Sequence, residues 1–511
     1  MNVRTNMPSK SANSVRGRGR RLAGLIVLLL PALLISMDVS ILFVASPSIA
    51  QSLAPTGTEW LWMLDSYSFV VAALLVTMGS LADRIGRRRL LLIGALAFGV
   101  ASTVLAMAPT PTLFIVGRVL LGVAAATLAP STLAIVRDLF DDLDARRKAV
   151  AAWTVAYTGG AVAGPVLGGV LLTAFEWPSV FLINLPVMAL LLIAGPFVLP
   201  ESKDPRGATF DLPGAALSLL SLFGIVFAIK RFAEYGNDFL AWATLIGGAL
   251  VVVGFIVRQR MATHPLIDLT LFRSGAFSGA AVANLLAAFV MVGLGALAFT
   301  YLQSVHGLSA LEAALYALPT FIGTAVGAGV SAGLAKRVRP GAIILLGFVI
   351  ATVGFCVVGA TAGADSPWWF VAGYIPLTLG AGGLVSALSN SLIISTAPAH
   401  RTGAAASISE TGVQLGGAFG IALFGLLSTV FYRRDMQVDG PAGDSLAGAE
   451  ALAAQMSGPE AALLREQAAT AFASSLSTVA FVIAGVCLAA AIVTGLLLRR
   501  VPIATADQSD G

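Results

Sequence analysis

The sequence predicts an all-α integral membrane protein. Two pseudo-symmetric six-helix bundles flank a two-helix insertion, giving fourteen transmembrane helices. Three observations predict this. The 511 residues are 57% hydrophobic and only 11% charged, with a mean hydropathy of +0.90. Soluble domains run at about 25% charged, so a soluble multidomain enzyme is excluded and most of the surface must face lipid. Apolar runs of about 20 residues, the length that crosses a hydrocarbon core, recur along the whole chain. Finally, two stretches of the first half return in order in the second.

Residues 1–21 form a basic, polar tail. The apolar run from Leu22 is too long for the core of a cleavable signal peptide and is followed by further spans, so it reads as an uncleaved first span. The spans fall near 22–46, 60–81, 90–108, 112–137, 149–174, 179–199, 212–231, 239–257, 277–303, 312–335, 341–361, 368–397, 402–431 and 472–498. The first six make an N-terminal bundle over 22–200. Residues 201–275 form a linker holding two inserted helices, and 276–498 form the C-terminal bundle, with a cytoplasmic tail at 499–511. The segment 432–471 is polar and Ala/Gly-rich, and reads as a flexible or weakly helical outer loop without chemistry of its own.

An even number of spans puts both termini on one side, and the basic residues choose the side. With cytoplasmic termini, only Lys230, Arg231, Arg433, Arg434 and Arg465 lie on outer segments and Arg118 lies within a span. The rest of the 31 Lys and Arg residues are on inner segments. The positive-inside bias therefore predicts a multi-pass membrane protein with both ends cytoplasmic. The net charge of +5 does not point to nucleic acid, because the basic residues punctuate apolar runs and form no single face. Trp60, Trp62, Trp368 and Trp369 fall at outer helix ends, where an aromatic belt would anchor the protein. Cys356 and Cys487 sit in apolar runs, and His264, His306 and His400 are scattered over different loops. No disulfide framework, metal site or cofactor is expected.

The repeat lies in the fourth and twelfth spans, where Leu121–Val136 (LGVAAATLAPSTLAIV) overlays Leu379–Ile394 (LGAGGLVSALSNSLII) without a gap. The fifth and thirteenth spans match through Gly160, Gly164, Gly168 and Gly412, Gly416, Gly420. Duplicated halves with a site at their interface are the usual construction of secondary transporters, whereas recurring small residues alone are common to membrane helices.

Three acids, Asp38, Asp65 and Glu410, lie inside spans. A carboxylate there costs roughly 2.5–3.5 kcal/mol and normally marks an ion, proton or substrate path. Asp38 is about sixteen residues into span 1, roughly 24 Å from the cytoplasmic end. Arg118 enters span 4 from the other side to a comparable depth, so the two can pair. Gly79-Ser-Leu-Ala-Asp83-Arg84-Ile-Gly86-Arg87-Arg88-Arg89 occupies the tight inner loop after span 2. Its glycines permit the turn, and Asp83 can meet arginines or helix N termini there.

These stretches resemble the major facilitator superfamily. The Gly79–Arg89 loop is similar to that family's inner-loop motif, and Gly333-Leu-Ala-Lys336-Arg337-Val-Arg339-Pro-Gly341 to its reduced second copy. Gly159-Gly160-Ala-Val-Ala-Gly164-Pro165-Val-Leu-Gly168-Gly169 resembles the antiporter motif and Arg118-Val-Leu-Leu-Gly122 the buried-arginine motif. Met37-Asp38-Val-Ser-Ile-Leu-Phe-Val-Ala-Ser-Pro47 and Trp62-Met-Leu-Asp65-Ser-Tyr67 resemble the fourteen-helix drug:proton antiporter group, the QacA-type multidrug efflux pumps. The likeness runs from about residue 22 to 498.

The resemblance implies proton-driven export of lipophilic cations, among them dyes and quaternary ammonium compounds, with Asp38, Asp65 and Glu410 at the family's acidic positions. The chain departs from that pattern at Thr324, Ser409 and Gln414, where QacA-type pumps carry acids. Dication handling is thereby in doubt.

Asp38 is then the expected proton carrier, tuned by Arg118, against the plainer reading of a static pair that locks helices. Asp65 reads as a proton-accepting or cation-attracting group near the exit, or simply as a solvated acid at the cavity mouth. Glu410 would receive the cation from inside, helped by Gln414 and by cation–π contacts from Tyr67, Trp153 and Tyr157. Gly79, Asp83, Arg84, Gly86 and Arg87 would form the cytoplasmic gate. Gly160, Gly164, Pro165, Gly168 and Gly169 would allow close packing and bending.

Expected partners are lipophilic cations, protons and the bilayer, with the protein a monomer. A dedicated natural-product exporter would share every motif. A channel or a membrane enzyme lacks support, since neither a pore-lining repeat nor a convergent nucleophile and base is present. No phosphate-binding loop is found, so ATP drive is disfavoured.

Overall fold

A computed structural model describes residues 10–140, 142–203, 212–236, 238–262, 269–398, 402–438, 440–499 and 501–502. His264, His400 and the ends of both tails lie outside the described residues. The first five spans are α1 (Lys10–Leu53), α2 (Gly57–Ile85), α3 (Arg87–Ala106), α4 (Pro111–Leu139) and α5 (Leu143–Ala174). The sixth is broken into α6 (Ser179–Leu182) and α7 (Asn184–Val198). The insertion is α8 (Leu212–Tyr235) and α9 (Phe239–Met261).

The second half comprises α10 (Gly275–Thr300), α11 (Ala310–Leu334), α12 (Pro340–Thr361), α13 (Pro367–Leu377) with α14 (Ser386–Ser395), and α15 (Thr402–Met436). After two short helices, α16 (Pro441–Asp444) and α17 (Leu446–Gln455), the chain ends in α18 (Pro459–Leu498). Among the described residues twelve helices are long and apolar enough to cross a membrane. A thirteenth span is the α2 pair Glu59–Leu75 and Thr77–Ile85, bent by 55°. The expected seventh span is α8, whose described apolar part is Ala216–Ile229.

Local chemistry sets the helix ends. Thr56 and Glu59 form a capping box at the start of α2, and Ser309 and Glu312 form the same box at the start of α11. These two helices hold corresponding places in the halves, so the duplication extends to their caps. Proline opens α4, α12 and α13, where its missing N–H costs nothing. Between α13 and α14 the glycine-rich run Thr378–Val385 widens into a π-helix. There Gly380 and Gly383 lie directly against the backbones of Gly347 and Gly327.

The repeat holds, but one helical turn away from the glycine register read in the sequence. A Cβ on Gly160 would strike the Leu33 carbonyl of α1, and a Cβ on Gly416 would strike the Leu285 carbonyl of α10. One turn on, Gly164 meets Met37 and Gly420 meets Phe289. Gly160 therefore corresponds to Gly416, while Gly412 has open space around it. At the next rung the small residue changes sides: Gly168 admits Ile41 in the first half, and Gly293 admits Phe424 in the second.

Two segments at the edges of the spans are helical as well. From Lys10 the basic tail is continuous with the first span. The 432–471 segment is no loose loop, because α15 and α18 extend into it and α16 and α17 pack between them. Tyr432 and Leu446 are buried, and the Tyr432 hydroxyl donates to the Ala442 carbonyl at 3.0 Å. Alanine is both a strong helix former and small enough to pack closely, which polar composition had masked.

The face where α1 begins and α18 ends is termed the near face, and its opposite the far face. Contacts between the halves gather toward the far face. Gln303 Nε2 donates to the Val44 carbonyl at 2.9 Å, Leu61 packs on Gly425, and Gly169 abuts the backbone of Leu311. Beneath α17 an apolar pocket is lined by Trp60, Leu61, Ile421, Tyr432, Leu446 and Phe472. Trp60 lines this pocket and Trp62 stacks on Phe223 of α8, ring centroids 5.6 Å apart, and both are half-buried. Trp368 and Trp369 are exposed as a belt requires. The inserted α8 lies along the join of α2 and α15, with Val226 buried among Phe69, Ala418 and Phe419.

Candidate functional site

Three groups of polar side chains occupy the apolar bundle. The first is ionic. Arg118 from α4 and Asp38 from α1 are wholly buried, 1% and 0% exposed at the side chain, with Nη1 donating to Asp38 Oδ2 at 2.8 Å. The guanidinium also donates to the carbonyls of Met63 (3.2 Å) and Leu64 (3.3 Å) on α2, and it lies 4.7 Å above the Tyr67 ring. An arginine can be kept in hydrocarbon only by such a set of acceptors, since removing a partner leaves a bare charge. Asp38 Oδ1 has no hydrogen-bond partner within the geometric limits.

Two expectations change here. Asp65 is completely buried, so it is no solvated acid at a cavity mouth. It follows directly on the turn of α2 whose Met63 and Leu64 carbonyls hold Arg118. Tyr67 is 1% exposed with its face taken by Arg118, so in this conformation it serves the ion pair and offers no surface to a substrate.

The second group crosses between the halves. Tyr157 of α5 donates its hydroxyl to Glu410 Oε1 of α15 at 3.2 Å, and Gln414 donates to the same oxygen at 3.2 Å. Trp153 stacks on Tyr157, 5.2 Å between centroids and 13° between planes, and its indole N–H donates to Thr132 Oγ1 at 3.2 Å. Glu410, Gln414, Trp153 and Tyr157 are all half-buried. The result is a carboxyl group at the join of the halves, held by the hydroxyl of a stacked aromatic pair, a setting suited to a lipophilic cation. Thr324, where an acid was noted as missing, packs on Gly382 and donates to the Thr320 carbonyl.

The third group stands at the near face. Gly86 turns the chain between α2 and α3 with φ of +114°, a conformation that favours glycine, and a Cβ there would lie 2.6 Å from Glu201 Oε1. Arg87 is clasped by Asp83 (2.8 Å) and Asp138 (2.6 Å). Arg88 donates to the Pro196 and Leu199 carbonyls, and its backbone N–H to Glu201. Gly79 packs toward Pro130, and Arg84 is exposed. The antiporter-motif glycines divide their work: Gly160, Gly164 and Gly168 face α1, whereas Gly169 faces α11 of the other half. Pro165 leaves α5 unbroken.

Sequence reasoning missed Asn184, Asp138 and Glu201. Asp138 and Glu201 lie outside the Gly79–Arg89 motif, and only the fold brings them to that loop. Asn184 begins α7, is 1% exposed and donates to Ser102 Oγ at 3.1 Å. In the second half, Asn284 donates to Ser409, which donates to Asn390 at 2.9 Å. Among the described residues no His, Cys, Asp and Glu cluster could hold a metal ion.

The sequence profile of the Major Facilitator Superfamily matches residues 28–421. Multidrug efflux pump LfrA of Mycolicibacterium smegmatis is 38% identical over 496 residues, 96% of this chain and 98% of the relative. Methyl viologen resistance protein SmvA of Salmonella typhimurium is 32% identical over 424 residues, 82% of this chain and 84% of the relative. The crystal structure of a bacterial homologue of the human lysosomal transporter Spinster, inward-facing and unoccupied, overlays with a TM-score of 0.67 at 16% identity. It covers 94% of this chain and 98% of that one.

Proposed function

The chain belongs to the Major Facilitator Superfamily, and on that premise we propose that it exports lipophilic, largely cationic drugs, dyes and quaternary ammonium compounds in exchange for protons. The near face is then cytoplasmic, as the distribution of Lys and Arg favours, and the membrane is the bacterial cytoplasmic membrane. The observation that carries the reading is Glu410 held by Tyr157 across the join of the halves, with the buried Asp38–Arg118 pair behind it.

The far face is shut by the Gln303–Val44, Leu61–Gly425 and Gly169–Leu311 contacts, so cargo enters from the cytoplasmic side and meets Glu410. A cation there competes for the carboxylate with the Tyr157 and Gln414 donors. Asp38 carries the proton. Arg118 favours its charged form and burial favours its neutral form, so withdrawing Arg118 as the halves rock lets Asp38 take a proton. Asp65, buried beside the Arg118 cradle, is a second group able to share that proton. The Asp83–Arg87–Asp138 clasp forms part of the cytoplasmic gate and rearranges when that side closes. One charge crossing 100 mV supplies about 2.3 kcal/mol, more than a tenfold gradient requires.

The relative named for methyl viologen resistance, a dication, keeps dications within the class. Thr324 in place of an acid favours a second reading, a pump narrowed to monocations or to one natural product. The test is uptake of ethidium and of methyl viologen into inverted vesicles, with and without a proton gradient. Gradient-dependent uptake of both supports broad antiport, of ethidium alone the narrower pump. Uptake insensitive to the gradient would reject proton coupling.

A further inference from the structure

Asp38 has one carboxylate oxygen on Arg118 and the other without a partner inside the limits of a hydrogen bond, although the residue is wholly buried. On α7, packed against α1, stands Asn184, whose buried amide neighbours the Asp38 carboxyl without a direct hydrogen bond to it in this conformation and donates to Ser102 Oγ of α3. Asn184 and Ser102 are 1% and 0% exposed. Asn184 lies in the first half of span 6, which runs over Ser179–Val198 and packs on α1 and α3. A polar side chain buried there has no packing advantage over leucine of similar size. Its value lies in its hydrogen bonds.

We propose that Asn184 is the positioning residue of the Asp38 proton site, holding the carboxyl in place through both of its protonation states. This rests on the reading of Asp38 as proton carrier. Arg118 has five N–H donors and no acceptor, so it cannot take the hydrogen bond that the neutral acid's O–H offers. An amide donates through nitrogen to the carboxylate and accepts through oxygen from the carboxylic acid, so it can partner either form. When Arg118 withdraws, Asn184 keeps the newly neutral group from swinging away, and Ser102 anchors the amide. The charged and titratable groups around the Asp38 site are Arg118 from α4 and, from α2, Tyr67 and the buried Asp65 beside the Arg118 cradle. The packed faces of α5, α7 and α10 add glycines, apolar side chains and Asn184 itself.

The experiment measures ethidium-driven proton release across a pH series, with the full-length protein in liposomes. Loss of a donor to the carboxylate disfavours its charged form. Asn184→Leu should therefore move the midpoint upward by about one pH unit, the size of a single hydrogen bond to a charged group. Ser102→Ala, which loosens the amide without removing it, should shift the midpoint the same way by less, and it carries the test if Asn184→Leu does not reach the membrane. An unmoved midpoint in the variants that do fold, with only the maximal rate lowered, would reduce Asn184 to a packing residue and overturn the inference. Asp38→Asn is measured alongside: undiminished release there defeats the premise itself, whatever Asn184 does.

Discussion

In the N-terminal half, the bundle seals in an ion pair, Asp38 against Arg118, with Asp65 close by. In the C-terminal half, α10 and α15 pack with the same backbone contacts, yet the polar groups buried between them, Asn284 and Ser409, are neutral and lead out to the exposed Asn390. The carboxylate of that half, Glu410, stands at the join and is held from the other half by Tyr157. The frame is duplicated and the charge is not. A mirror-symmetric rocking motion can therefore be coupled to protons by one half while the other half contributes the group that cargo meets. The neutral network lets the second half move without changing its ionisation.

The comparison is best broken at Arg118. Arg118→Ala strands Asp38 in the bundle and should cost about 3–5 kcal/mol, read as a lower unfolding temperature in detergent. Adding Asp38→Asn should restore much of that stability but none of the proton release. If the double variant still releases protons, charge is not confined to this half as described. Next in size, Glu410→Gln should weaken efflux of ethidium by about tenfold or more, the worth of a hydrogen-bonded charge, and affect neutral cargo less. Equal losses would make Glu410 a structural residue.

Gly160→Ala and Gly416→Ala should each destabilise by about 1–3 kcal/mol, because each Cβ meets a backbone carbonyl of the partner helix. Ser409→Ala should cost about 1 kcal/mol per hydrogen bond lost and leave the pH profile of transport untouched. A shifted profile would show that the neutral network takes part in coupling. Smallest is Gly412→Ala, expected within about 0.5 kcal/mol of the parent since nothing lies near. A larger loss would reinstate the sequence register of the repeat.

How much of this was legible follows from the kind of signal each residue emits. Asp38 and Arg118 stand out because charge in an apolar run is rare, and helix rise alone brings them to one depth. Glu410 is visible for the same reason. That Tyr157 is its partner is not, because the rotation of α5 against α15 depends on the packing of the whole join. Asn184 is silent in sequence, a single uncharged residue in an apolar stretch whose partners sit on α1 and α3. The glycine register slipped by a turn because glycines spaced by four look the same at either offset, and only the contacts with Leu33 and Leu285 separate them. The 432–471 segment was misjudged on polarity, its few anchors such as Tyr432 and Leu446 being too sparse to form a period.

The inserted α8 rests on α2 and α15 together, one from each half. If the halves swing, a single rod cannot remain fixed to both, so one of its two surfaces has to slip. The surface is suited to slipping: Phe223 lies flat on Trp62, and Val226 rides between Phe69 and Ala418, rings and methyls that can slide past one another. In the arrangement seen here, α8 thus caulks the α2–α15 flank of the join against lipid tails.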